Sequence, residues 1–341
     1  MERTAPPPGA PAPTRRPPEA IGLALRQTVD AAAARLSEAG ESVELHAVVA
    51  NERGGPVVVT FALCLAAASL LALAWPLRAS VAIGVLLISG LLDLEGRRSW
   101  VRRLAPREGG RALLQWTPPA AEPGPVVLLV VPEEATRIRA PGLGASVLGA
   151  LTLCALAGAL ARPFVSDLAG PLLVGIGAGA ALVAAIAWAL DRRGRLEPDA
   201  ESGIRLAERI AADLADTPPA RGRVAVATVG GGALFHDGVD VLLQNHRARL
   251  SPARTRVITW QPTDGPLSLV PRDGRLLRSR APDALQQALA LLGLPPASGV
   301  TTAARARACG WPAAGLQGGL DDPGAIVKAL AAAARHAAEA P

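Results

Sequence analysis

Side chains able to do chemistry are sparse in this sequence. The four histidines are His46, His236, His246 and His336, and none has a second histidine three or four residues away. The three cysteines offer no paired CxxC spacing: Cys64 and Cys154 lie inside apolar runs and Cys309 stands by itself. Spacing therefore gives neither a zinc-binding helix face nor a disulfide framework. His236-Asp237 is the pair best suited to a site, because a carboxylate beside an imidazole fixes its orientation. Serine nucleophiles lack support, since Ser251, Ser268 and Ser298 are not set in a Gly-x-Ser-x-Gly turn. Gly230-Gly231-Gly232 lacks the following Gly-Lys-Ser/Thr of a phosphate-cradling loop.

The elements that must position these residues alternate in type. Ile21, Leu25, Val29, Ala32 and Leu36 are spaced for one face of a helix that Gly40 ends. Val43, Leu45, Ala47 and Val49 alternate as in a strand, and Gln115-Trp116 belongs to another. Val126 to Val131 is a continuous apolar run between Pro125 and Pro132, suited to a strand covered on both faces. Further on, Ile204 to Leu214 predicts a helix, Val224 to Thr228 a strand, and Val239 to Arg249 a helix. Arg256 to Trp260 is expected as a strand, and Leu285 to Leu292 as a helix stopped by Gly293. A last helix opens at Asp322-Pro323 in cap-then-proline order. Such alternation argues for helices on both faces of a mainly parallel sheet.

Two apolar hairpins interrupt the alternation. Pro56 to Leu77 and Ala79 to Leu92 are divided by Arg78; Ala140 to Ala161 and Leu168 to Leu190 are divided by a short turn holding Arg162 and Asp167. A spanning helix needs about 20 apolar residues, so four transmembrane helices are expected, the second of them short. Arg53 precedes the first span. Arg97, Arg98, Arg102, Arg103 and Arg107 follow the second, Arg137 and Arg139 precede the third, and Arg192, Arg193 and Arg195 follow the fourth. That bias puts both termini and the soluble domain in the cytoplasm, against an inner (plasma) membrane. The expected organisation is a Pro-rich disordered tail over 1–18 and soluble α/β sequence over 19–55, 94–139 and 191–341. Hairpins fall over 56–93 and 140–190.

The net charge is +6, carried by arginine with Lys328 the single lysine. Aromatic residues make up only 3% and the arginines flank apolar runs, which excludes nucleic acid as a partner and points to the lipid bilayer. Another membrane or cytoplasmic protein remains open as a partner. The absence of charged residues within the four spans argues against an ion path.

With the hairpins set aside, the order of elements resembles the family-28 metallopeptidases, the zinc aminopeptidase family, over roughly residues 21–340. The resemblance implies a three-layer αβα sandwich with a mainly parallel mixed sheet. It also places the family's His-x-Asp on Pro132-Glu133-Glu134 and its Asp-Asn-x-Ser-Gly on Asp199-Ala200-Glu201-Ser202-Gly203. Its Gly-Glu-Glu falls on Gly230-Gly231-Gly232 and a further aspartate near Trp260-Gln261-Pro262. The closing strand has its counterpart in Gly310-Trp311-Pro312-Ala313, and the last histidine is expected between Gln317 and Asp322, where the sequence has none. Proline and glycine side chains donate to no metal, so Pro132, Glu134, Asp199, Gly231 and Gly232 are vestigial positions retaining at most two carboxylates. A catalytic zinc needs three protein donors and an open position. The resemblance thus implies a pseudoenzyme with no catalytic residue, no bound metal and no cofactor. Either Asp199 or Ser202 is expected to cap the following helix. The alternatives are an active zinc aminopeptidase with ligands relocated to Glu134, Asp199, His236 and Asp237, and a membrane scaffold or transport accessory. In the latter, Gly175 with Gly179 and Gly177 with Ala181 bring helices close.

Overall fold

The computed structural model describes residues 15–16, 18–50, 54–94, 100–105, 108–132, 143–192, 195–196, 200–229, 237–274, 278–319 and 322–340. The tail over 1–14 lies outside the described residues, as do Glu134, Asp199, Gly231, Gly232 and His236.

In chain order the sheet strands are β1 (Val43–Ala50), β2 (Glu108–Trp116), β3 (Glu122–Pro132), β4 (Arg221–Val229), β5 (Thr255–Gln261), β6 (Ser268–Asp273), β7 (Ser279–Arg280), β8 (Pro296–Gly299) and β9 (Ala313–Gln317). They form one nine-stranded sheet in the order β8-β6-β9-β5-β3-β4-β2-β1, with β7 paired to β6. The centre, β9-β5-β3-β4, is parallel. Beyond it β2 and β1 run antiparallel on one side, and β6 joins β9 antiparallel on the other. The sheet is therefore evenly mixed, not mainly parallel. The parallel centre is where apolar strands are covered on both faces, and antiparallel strands fill the edges.

The helices outside the apolar hairpins are α1 (Pro18–Glu38), α7 (Ala200–Asp216), α8 (Asp237–Asn245), α9 (Asp283–Ala290), α10 (Thr302–Ala308) and α11 (Pro323–Glu339). Strand β3 shows how they divide. Val127, Leu129 and Val131 pack toward α7, α9 and α11. Leu128 and Val130 point the other way, toward α8, α10 and Trp311. Successive side chains alternate across a strand, so a strand apolar at every position requires a helical layer on each side. The result is the three-layer αβα arrangement. Asp322 caps α11, its carboxylate accepting from the Gly324 and Ala325 amides. Ser202 lies within the first turn of α7 and not ahead of it, so it is not the N-cap.

The apolar segments form α2 (Gly54–Ala74), α3 (Pro76–Leu94), α5 (Leu143–Ala161) and α6 (Ser166–Arg192), with the single turn α4 (Trp100–Leu104) against α2 and α3. Leu65, Ala68 and Ala72 of α2 share a core with Leu173, Ile176 and Ala180 of α6 and with Ala79 and Ile83 of α3. Of the four expected spans, two are long and apolar enough to cross a membrane over the described residues, at Pro56–Ala74 and Leu168–Ala187; the described apolar stretches of the other two helices, Pro76–Leu92 and Leu148–Ala161, are shorter. Only 39% of each longer span is buried. Leu63, Leu70, Leu172, Leu182 and Ile186 face outward.

Candidate functional site

The carboxyl ends of the parallel strands are where open α/β sheets present their binding residues. Here those ends are Pro132 on β3, Val229 on β4, Gln261 on β5 and Gln317 on β9. Not one of the four offers the imidazole, thiolate or carboxylate that holds a divalent cation. Within β5, the Trp260 indole donates to the Gly318 carbonyl at 2.9 Å, tying the strand to the turn after β9. Gly318 and Gly319 are both left-handed (φ +100° and +84°), and a Cβ on Gly318 would fall 2.2 Å from the Pro266 carbonyl oxygen. Glycine is therefore required there by close approach. The residues at the described strand ends do not fit a zinc centre. The backbone of Asp237 begins α8, while His236 before it lies outside the described residues.

The structure instead assembles titratable groups at the β1 edge. Glu44 and His46 are two apart on β1 and so share a face. His246 follows α8, which packs over β1. The His46 and His246 rings meet edge to face with centroids 4.0 Å apart. Glu44 Oε2 lies 3.3 Å from His46 Nε2, an ion-pair separation at which no hydrogen bond is made. Ligand atoms of all three residues fall within 4.8 Å of one another. Glu44 is held on two further sides: the Trp116 indole donates to Oε1 at 3.0 Å and Arg249 Nη1 to Oε2 at 2.7 Å. Two guanidinium groups lie over the Trp116 ring, Arg223 at 4.6 Å and Arg249 at 5.6 Å from its centroid.

Burial alone would push the Glu44 carboxyl up. The Arg249 hydrogen bond and charge, the Trp116 hydrogen bond and His46 outweigh it and hold Glu44 below its ordinary value. His246 goes down, first because burial disfavours its charged form, then through the charges of His46 and Arg249; Glu44 opposes the shift. The arrangement is an ionised carboxylate, Glu44, near one imidazole, His246, that resists protonation.

Sheet register places this cluster relative to the strand ends. His46 pairs with Ala112, Ala112 with Val229, and Val229 with Pro132. His46 is thus in the same row as Pro132, about 14 Å away at three strand spacings. The sequence resemblance does not lead to Glu44 or His246. The usable signal was the period-two spacing of Glu44 and His46; nothing local announced that α8 would bring His246 onto them.

A second polar constellation joins α8 to α10. Asp240 Oδ2 accepts from Arg305 Nε and Nη2 at 3.2 and 3.0 Å, and Cys309 Sγ contacts Oδ1. Nearby, Asp273 accepts from the Thr301 amide and hydroxyl at 2.7 and 2.9 Å and pairs with Arg307.

Among solved structures the chain is similar to an aminopeptidase from Aneurinibacillus sp. strain AM-1. The identity is 11% and the TM-score 0.39, over 69% of this chain and 50% of that one. It is also similar to BSAP, a zinc aminopeptidase from Bacillus subtilis (10%, TM-score 0.34, 67% and 50%). LapB from Legionella pneumophila matches at 8% and TM-score 0.32, over 93% and 63%. The chain spans about half the length of the first two. No protein-family model and no curated relative matches it. At these scores the likeness assigns no activity; the architecture rests on the strand order above.

Proposed function

We propose that this chain is a membrane-anchored, peptidase-like α/β protein that lacks hydrolytic activity and whose cytoplasmic sheet domain binds a protein or peptide partner. The observation that carries the reading is the chemistry of the described strand ends: Pro132, Val229, Gln261 and Gln317 offer no side chain that can hold the divalent cation a zinc aminopeptidase needs. A hydrolase also needs a carboxylate to take the proton of its attacking water, and Gly231 and Gly232 occupy the positions at which the sequence resemblance expects that base.

Membrane anchoring is supported by α2 and α6, whose outward leucines form an apolar surface that water would penalise. The arginines flanking the hairpins orient both termini inward. Purified full-length protein in detergent, supplied with Zn2+ or Co2+, is expected to leave chromogenic aminoacyl amides intact. Metal-dependent turnover abolished by Asp199→Ala would establish the relocated-ligand enzyme instead.

A further inference from the structure

We propose that Glu44, His46 and His246 form a binding site for a divalent transition-metal ion of the Zn2+ class, remote from the strand ends and independent of any peptidase chemistry. Two imidazoles and a carboxylate are a donor set that zinc accepts, with a fourth position left for water. Spacing agrees with the chemistry. Donors about 2.1 Å from a tetrahedral ion stand roughly 3.4 Å from each other. Glu44 Oε2 and His46 Nε2 are already 3.3 Å apart, and no pair in the trio exceeds 4.8 Å. Side-chain rotation alone closes the remainder.

The second observation is the state of the imidazoles. His246 is only 7% exposed, and the buried Nε2 atoms of both His46 and His246 have no hydrogen-bond partner among the described residues. A buried polar atom left without a partner costs about 1–3 kcal/mol, and metal coordination satisfies it. The surroundings supply the outer contacts of a metal site. Trp116 fixes Glu44 by Oε1 and leaves Oε2 toward the histidines. Arg249, 57% exposed, is free to swing off Oε2 when a cation arrives. Its charge opposes the ion and sets a moderate affinity.

The ligands come from β1 and from the residue after α8, so the ion clamps the edge strand to the helix layer. Strand β1 ends at Ala50 and α2 begins at Gly54, which puts the clamp directly ahead of the first apolar helix.

The test is calorimetric titration of the full-length chain in detergent with Zn2+, checked by Co2+ absorption. One equivalent is expected to bind. Glu44→Gln, His46→Gln and His246→Gln each weaken it at least about tenfold, the scale on which even outer-shell changes act, and Arg249→Gln strengthens it. Asp199→Asn and His236→Gln leave it unchanged. No uptake by the wild type, or full affinity in His46→Gln and His246→Gln, overturns the proposal. X-ray absorption of the Zn2+-loaded wild type needs no variant: two imidazole ligands support the site, and one or none overturns it.

Discussion

Arg305 and Asp240 form an ion pair sealed in the protein, with side chains 4% and 3% exposed. It links α10 to α8 within the helix layer that carries His246. Breaking such a pair from one side strands a charge in the interior and costs about 3–5 kcal/mol, whereas exchanging both partners for well-packed apolar residues is often neutral. Asp240→Ala should therefore lower unfolding stability by about that amount, and Asp240→Leu with Arg305→Met should recover most of it. Chemical denaturation of the three proteins checks the order.

Gly315 of β9 leaves no room for a methyl group. A Cβ there would fall 2.0 Å from Thr301 Oγ1, and Thr301 cannot retreat, because Asp273 holds both its amide and its hydroxyl. Gly315→Ala is expected to cost at least about 1–3 kcal/mol, the ordinary range for overpacking. Thr301→Ser paired with it removes one of the two clashing carbons and should return part of the loss. The midpoints of urea unfolding give the comparison.

Leu70 is 53% exposed on α2. On a soluble protein Leu70→Arg would be nearly silent; in a bilayer it opposes insertion by about 2.5–3.5 kcal/mol at a helix centre. The expected result is loss of the carbonate-resistant membrane fraction in Leu70→Arg, with Leu63→Ala as the tolerated control. Unchanged membrane retention would remove the lipid-facing assignment of this side.

Stability should decline toward acid. His246 has its folded pKa pushed below the ordinary histidine value. As pH falls through that value toward the folded pKa, the unfolded chain takes up the proton first, and folding loses free energy. Glu44, held low against Arg249, acts in the same direction at lower pH. Its contribution is full above the ordinary carboxylate pKa and lost as pH falls through the depressed one. Between pH 7 and 5 the melting temperature should drop, and His246→Gln should flatten that decline without touching the Glu44 part below it.

The strands and helices with strong periodicity were legible in the sequence: the strand over Val126 to Val131, the α7 face from Ile204 to Leu214, and the Asp322-Pro323 cap all follow from local rules. Strands β6 and β8 were not. They lie in a stretch rich in proline, glycine and arginine with no alternation, and their strand form comes from pairing with β9 and with each other. The proportion of parallel pairing was misjudged for a related reason: edge strands take their direction from the connection, which the hairpin between β1 and β2 obscures. The site was half visible. Glu44 and His46 sit at strand spacing, but His246 reaches them only because the sheet order puts α8 above the outermost strand.

The chain threads its sheet through its apolar hairpins, and this fixes an order of events during synthesis. Among the described residues strand β1 pairs with β2 alone, and α2 and α3 are made between them. Strand β3 is flanked by β4 and β5, both made after α5 and α6. The earliest strand therefore leaves the ribosome with unpaired amides and carbonyls, a template for aggregation until its neighbour arrives. Only when the second hairpin is out can the central ladder zip, so domain closure reports that every apolar helix has been delivered.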